Sequence, residues 1–177
     1  ALKKYSRRHA ARFHMPGHKA NRRHFPFFKD AALDITELSF SDCLENPDGI
    51  IASAERDIAE ILGAEKSFIL TDGSSCGIYA MLYAVKRRGG KVVISRNSHK
   101  SVYNACAVLG IEPYILKGNE LNGVLLPPAA AEIEDAFKKE RDICAALITS
   151  PDYYGNISDY QSIRKVCTRY GKLFLVD

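Results

Sequence analysis

The sequence predicts an α/β fold, a mainly parallel sheet with flanking helices, preceded by a polar arm. Three observations carry that reading. Short apolar runs of strand length, KVVIS at 91–95, ICAALIT at 143–149 and KLFLV at 172–176, alternate with longer stretches whose apolar residues recur at helical spacing. Glycines stand where the helical stretches should stop, at 63, 89, 110 and 171. Polar, chemically capable residues follow the strand-like runs, at the edge where ligands bind in sheets of this kind.

Each element can be justified in turn. Ser53 is a suitable cap for a helix with Ile58, Ile61 and Leu62 on one face and Gly63 as its stop. Lys66–Thr71 (KSFILT) reads as a buried strand, followed by the turn Asp72-Gly73-Ser74. A helix from about Ser75 places Ile78, Met81, Leu82 and Val85 at helical spacing and ends at Gly89-Gly90. Lys91–Ser95 is the next strand, Ser98–Leu109 a helix closed by Gly110, and Glu112–Leu116 a strand. Pro127-Pro128 opens a helix with Ile133 and Phe137 inward. Ile143–Thr149 is a strand, Asp159 caps a helix running to Tyr170, and Lys172–Val176 is the last strand, leading to Asp177. Alternation of this kind argues for parallel strands joined by helical crossovers. Residues 1–45 lack it, with Pro16-Gly17 and Pro26 as breakers, and read as a basic arm; residues 46–177 read as the sheet domain.

A chain of 177 residues can bury one sizeable core. The net charge of +4 is unevenly placed. Residues 1–30 hold nine Lys/Arg against one acid, Asp30, while the remainder holds 16 bases and 20 acids. A basic arm can meet an acidic surface or simply be solvated; it lacks the aromatic–basic interleaving of single-strand nucleic-acid binders, so nucleic acid is not the expected partner. No apolar stretch approaches a membrane span, and the start has no apolar signal core. Five cysteines at irregular spacings suggest neither a disulfide framework nor a zinc site, and fit reduced thiols in a cytoplasmic protein without a metal.

The strand-end rule selects Asp72–Ser75, Arg96–His99, Ser150–Tyr154 and Asp177. Gly73-Ser74-Ser75 lies between a strand and a helix start, where exposed N–H groups and two hydroxyls suit a phosphate dianion; a Ser-capped helix would look the same. The Walker lysine spacing and the G-x-G-x-x-G spacing are absent, which argues against a nucleotide-binding module. A carboxylate at Asp177 can hold the protonated nitrogen of a cofactor ring, cap a helix or ligate a metal. His99 can stack on a ring, act as acid or base, or be a surface group.

Read together, these stretches have a more specific wording. Phe13-His14-Met15-Pro16-Gly17-His18-Lys19, Asp34-Ile35-Thr36-Glu37-Leu38, Thr71-Asp72-Gly73-Ser74-Ser75-Cys76-Gly77, Arg96-Asn97-Ser98-His99-Lys100-Ser101 and Thr149-Ser150-Pro151-Asp152-Tyr153-Tyr154-Gly155 resemble, in sequence and order, the ornithine/lysine/arginine decarboxylases. The resemblance runs from about Arg12 to the end. It implies a fold-type-I large domain that binds pyridoxal 5′-phosphate (PLP) and decarboxylates arginine, lysine or ornithine to a polyamine-pathway amine. It further implies that Ser74 and Ser75, beside Gly73, bind the phosphate, that His99 stacks on the ring, that Asp177 pairs with the ring nitrogen, and that Thr149 sits near the ring substituents. His14, His18 and Lys19 would lie near the active-site region and the partner of a homodimer or higher homo-oligomer. Asp72 and Asp152 depart from the family, which often has asparagine at the first position and threonine or asparagine at the second.

The lysine that anchors the cofactor in the family follows the strand-end aspartate. Asn97-Ser98-His99-Lys100 has similar wording, but its place before Asp177 matches the ring-stacking segment. The resemblance therefore implies a large domain that is partial, truncated before its Schiff-base lysine and inactive alone, and a first strand, Lys66–Thr71, whose neighbour lies downstream. Other readings are another fold-type-I enzyme, such as an aminotransferase or aldolase, and a non-catalytic homologue acting as an interaction or regulatory partner.

Overall fold

The computed structural model describes residues 1–8 and 10–177. The chain forms two compact units, Ala1–Ile69 and Leu70–Asp177. The first contains a short helix, α1 (Leu2–Ser6), a series of turns, and a longer helix, α2 (Ile50–Leu62). The Arg12 guanidinium lies 4.9 Å from the centroid of the Tyr5 ring and donates to the Ala32 carbonyl at 3.0 Å.

Helix α2 begins ahead of Ser53, the expected cap. Its N-cap is Gly49, and the anion at its start comes from Asp42, seven residues upstream. The Asp42 carboxylate accepts N–H bonds from Cys43, Asp48, Gly49 and Ile51 at 2.7–3.0 Å. Burial works against its charge, but the four donors outweigh that and hold the carboxyl down at about 2. A cap reached through a loop leaves no local sequence pattern. Gly63 is left-handed and stops the helix as expected. The apolar face is present but uncovered among the described residues: Ile61 and Leu62 are exposed, and Ala59 alone is buried within the helix.

The expected strand Lys66–Thr71 does not form. The segment joins no ladder, Phe68, Ile69 and Leu70 are exposed, and the Ile69 N–H donates instead to the Glu55 carboxylate at 2.9 Å. Apolar strand composition needs a neighbouring strand to satisfy its backbone, and none stands beside it here among the described residues.

The second unit follows the expected alternation: α3 (Gly73–Arg88), β1 (Lys91–Ile94), α4 (Lys100–Leu109), β2 (Pro113–Ile115), a hairpin of β3 (Glu120–Leu121) and β4 (Val124–Leu125), α5 (Ala130–Lys139), β5 (Ile143–Ile148), α6 (Tyr160–Arg169) and β6 (Leu173–Val176). Strands β2-β1-β5-β6 form one sheet in that order, all parallel. Helices α3 and α4 start at Gly73 and Lys100 rather than near Ser75 and at Ser98. The hairpin was not anticipated, although Asn122-Gly123 between two apolar pairs is its usual signal; both residues have positive φ.

Strand side chains alternate between two cores. Val92, Ile94, Ala145 and Leu147 pack with Ile78, Leu82 and Val85 of α3 and with Val102, Ala105 and Cys106 of α4. Val93, Ala146 and Ile148 pack on the other face with Ile133 and Phe137 of α5 and with Ile163 and Val166 of α6. A sheet buried on both faces explains the continuous apolar runs in its strands. All five cysteines are free thiols; burial pushes Cys167 up to about 11 and raises Cys106 also. Among the described residues no helix is long and apolar enough to cross a membrane, and no cluster of His, Cys, Asp or Glu is arranged to hold a metal.

Candidate functional site

Parallel pairing fixes where the candidate residues fall. Leu147 pairs with Ile94 on one side and with Leu175 on the other, so β1, β5 and β6 end side by side. Their next residues, Ser95, Thr149 and Asp177, therefore share the carboxyl rim. The β5–β6 contact continues past the strands: the Asp177 N–H donates to Ile148 and the Ser150 N–H donates to the Asp177 carbonyl, both at 2.9 Å. Helix α3 reaches β1 through Gly89-Gly90 and packs against α4 and β5, so it runs back along the sheet with its N-terminus toward the same rim.

At that N-terminus Gly73 has φ +72, a conformation that glycine adopts without strain. Asp72 is the N-cap residue but makes no side-chain cap bond, and Asp72, Gly73, Ser74 and Ser75 are all exposed. The unpaired first N–H groups of the helix and two hydroxyls thus face outward together, an arrangement suited to an anion.

His99 caps α4. Its Nδ1 accepts from the Ser101 N–H at 3.3 Å and lies 2.8 Å from the Ser101 hydroxyl. The imidazole is exposed, held at one nitrogen. The neighbouring hydroxyls are less satisfied. Ser95 Oγ, Ser98 Oγ and Thr149 Oγ1 are buried and have no hydrogen-bond partner among the described residues. Thr149 was anticipated; Ser98 lies within the strand-end segment the sequence selects and Ser95 just before it, but neither hydroxyl was given a role of its own.

Beyond β5 the backbone is organised by Asp152, which is 7% exposed. Its carboxylate accepts from the N–H groups of Tyr154 and Asn156 and from the Asn156 side chain, each at 2.9 Å. Burial opposes its charge, but these donors prevail and hold its carboxyl below the usual range. The departure at this position thus has a structural use. Ser150 accepts from the Ser158 N–H through Oγ and from the Tyr160 hydroxyl through its carbonyl, fixing the other end of the loop.

His14, His18 and Lys19 lie in the first unit, drawn together around a turn. His18 Nε2 is 3.1 Å from the Asp34 carboxylate and its Nδ1 accepts from the Ala20 N–H. Lys19 Nζ donates to the His14 carbonyl, and His14 Nε2 meets the Tyr5 hydroxyl.

The model of the Orn/Lys/Arg decarboxylase major domain matches residues 1–177. The chain belongs to the Orn/Lys/Arg decarboxylase family. Bacillus subtilis (strain 168) arginine decarboxylase is 32% identical over 188 residues, covering 99% of this chain and 38% of that protein. The chain thus spans about two fifths of the length of such a relative. Among solved structures, the SepCysS–SepCysE N-terminal domain complex superposes with a TM-score of 0.61 at 22% identity, covering 89% of this chain and 41% of that one. Oryza sativa TDC with PLP and tryptamine gives 0.57 at 15% identity, covering 72% and 32%. The fold is that of the fold-type-I PLP enzymes, and PLP is the cofactor that family membership brings.

Proposed function

We propose that the polypeptide carrying this chain is a PLP-dependent decarboxylase of a basic amino acid, arginine, lysine or ornithine, forming the corresponding polyamine-pathway amine. Membership of the Orn/Lys/Arg decarboxylase family supports the reaction class. The observation that carries the site is the shared carboxyl rim, where exposed helix N–H groups, a strand-end carboxylate and three buried hydroxyls without protein partners occur together.

The residues fit the cofactor. Bound PLP supplies a protonated conjugated ring that accepts the electron pair left when the α-carboxylate departs as CO₂. Ser74, Ser75 and the first N–H groups of α3 hold the phosphate dianion, assisted by the helix dipole. Asp72 is exposed, so its charge stays in water beside that cup. Asp177 would keep the proton on the ring nitrogen, His99 would stack on the ring, and Thr149 Oγ1, buried without a partner among the described residues, would offer its hydrogen-bonding capacity to the ring substituents. A homodimer that brings the arm residues His14, His18 and Lys19 to the active-site region belongs to the same proposal, and analytical ultracentrifugation of the complete polypeptide tests it.

The functional test is Asp177→Ala in the complete polypeptide, with CO₂ release measured from arginine, lysine and ornithine. PLP should still bind, while turnover of the preferred substrate falls by ~100-fold or more, the scale of a lost electrostatic partner at the reacting centre. Turnover equal to the parent would remove Asp177 from the mechanism. Activity on none of the three amino acids, with PLP bound, would overturn the substrate class.

A further inference from the structure

We propose that Ser101 is the positioning residue for His99, fixing which imidazole nitrogen carries the proton and how the ring stands when it meets the cofactor. The inference rests on the reading of His99 as the ring-stacking residue. A backbone N–H can only donate, so the bond from Ser101 N–H to His99 Nδ1 makes Nδ1 the bare acceptor. In the neutral ring the proton then sits on Nε2. The Ser101 hydroxyl, 2.8 Å from the same nitrogen, donates to it as well, because Nδ1 has no proton to offer. Both donors come from one residue, which is 5% exposed and rooted in the first turn of α4 beside the core residue Val102.

Two donors on one edge do more than cap a helix. They pin the imidazole by its Nδ1 edge and leave Nε2 without a hydrogen-bond partner among the described residues. A ring held this way meets a planar cofactor by its face and donates only from Nε2. Ser98, one residue before His99, has a buried hydroxyl without a partner among the described residues and plays no part in this arrangement. Neither Arg96 nor Lys100 is bonded to the ring, whose hydrogen bonds among the described residues are to Ser101.

The test uses the complete polypeptide labelled with ¹⁵N-histidine, the His99 side-chain signals being assigned by their loss in His99→Gln. In the PLP-free protein, at a pH alkaline enough for imidazole rings to be neutral, the expected signature is a protonated Nε2 and an unprotonated Nδ1. Ser101→Ala, which keeps the backbone donor and removes the hydroxyl, should broaden or shift the Nδ1 signal and weaken PLP binding by ~5-fold, the scale of one neutral hydrogen bond. Ser101→Thr, which restores a hydroxyl, should recover both. A neutral ring with the proton on Nδ1 in the parent protein would overturn the assignment without any variant. Unchanged His99 signals and PLP affinity in Ser101→Ala, where His99→Ala does alter PLP absorbance, would overturn the role of Ser101 alone. A His99→Ala protein with unaltered PLP absorbance and affinity would instead bring down the stacking role on which the inference rests.

Discussion

At the amino rim of the four-stranded sheet, Lys91 is gripped by Glu112 and Glu140, each at 3.1 Å, and by Asp142 at 3.5 Å. At the carboxyl rim of the same strands, Ser95, Ser98 and Thr149 hold buried hydroxyls without protein partners, and Ser74 and Ser75 stand exposed at a helix N-terminus. Both rims are rich in polar groups, but the carboxyl rim pairs only some of them and leaves the Ser95, Ser98 and Thr149 hydroxyls without partners among the described residues. Hydrogen bonds to Glu112 and then Glu140 raise the Lys91 ammonium well above its usual range, against a smaller opposing effect of burial. A self-satisfied cluster has little left to offer a ligand. Groups left unsatisfied carry a desolvation cost that a ligand can relieve, and that difference is what supports the cofactor site proposed at the carboxyl rim.

The comparison can be broken most severely at the junction feeding the amino rim. A Cβ at Gly90 would lie 2.3 Å from the Asp142 carbonyl oxygen and 3.0 Å from Cys144 Sγ. Backbone cannot yield as a flexible side chain would, so Gly90→Ala should cost about 3 kcal/mol or more in a denaturant titration. Parent-like stability would mean that the approach of α3 to the sheet is looser than described.

A smaller effect belongs to the carboxyl rim. Removing both hydroxyls in Ser74→Ala/Ser75→Ala should weaken PLP by at least ~10-fold, since bonds to a charged phosphate are the stronger kind, while the melting temperature of the PLP-free protein stays near the parent value. Equal affinity would remove these hydroxyls from the phosphate cup.

Much of this was legible in the sequence, and the failures share a cause. Gly63, Gly89 and Gly110 stop their helices and Asp159 caps α6 through the Ser162 N–H at 3.1 Å, because these signals act within a few residues. The parallel character of the sheet follows from alternation of apolar runs with helices, which is also local in sequence, whereas the order β2-β1-β5-β6 was not read from it. The start of α2 was misplaced because its cap is Asp42, across a loop. Lys66–Thr71 has strand composition but no strand beside it among the described residues, and pairing is not a property of a segment alone. In the site, residue types and strand ends marked Gly73, Ser74, Ser75, His99 and Asp177 as candidates, and the family resemblance added Thr149. The dual bond from Ser101 to His99 depends on side-chain geometry that spacing does not reveal.

The smallest expected effect is one of pH at the amino rim. Because Lys91 is raised in the folded state, its stabilising contribution is complete below the ordinary lysine value of 10.5 and is lost as pH rises beyond it toward the folded value. Lys91→Met should therefore lower the melting temperature slightly at neutral pH, reduce its alkaline dependence, and leave PLP affinity unchanged. A marked loss of PLP binding in that variant would contradict the division between the rims.

Hydrogen–deuterium exchange of the complete polypeptide, with and without PLP, tests that division most directly. The account predicts added protection at residues 73–77, 95–101, 149–152 and 175–177, with little change at 89–92, 110–113 and 140–143. Protection concentrated around Lys91, Glu112 and Asp142, with the carboxyl-rim segments unaffected, would contradict it.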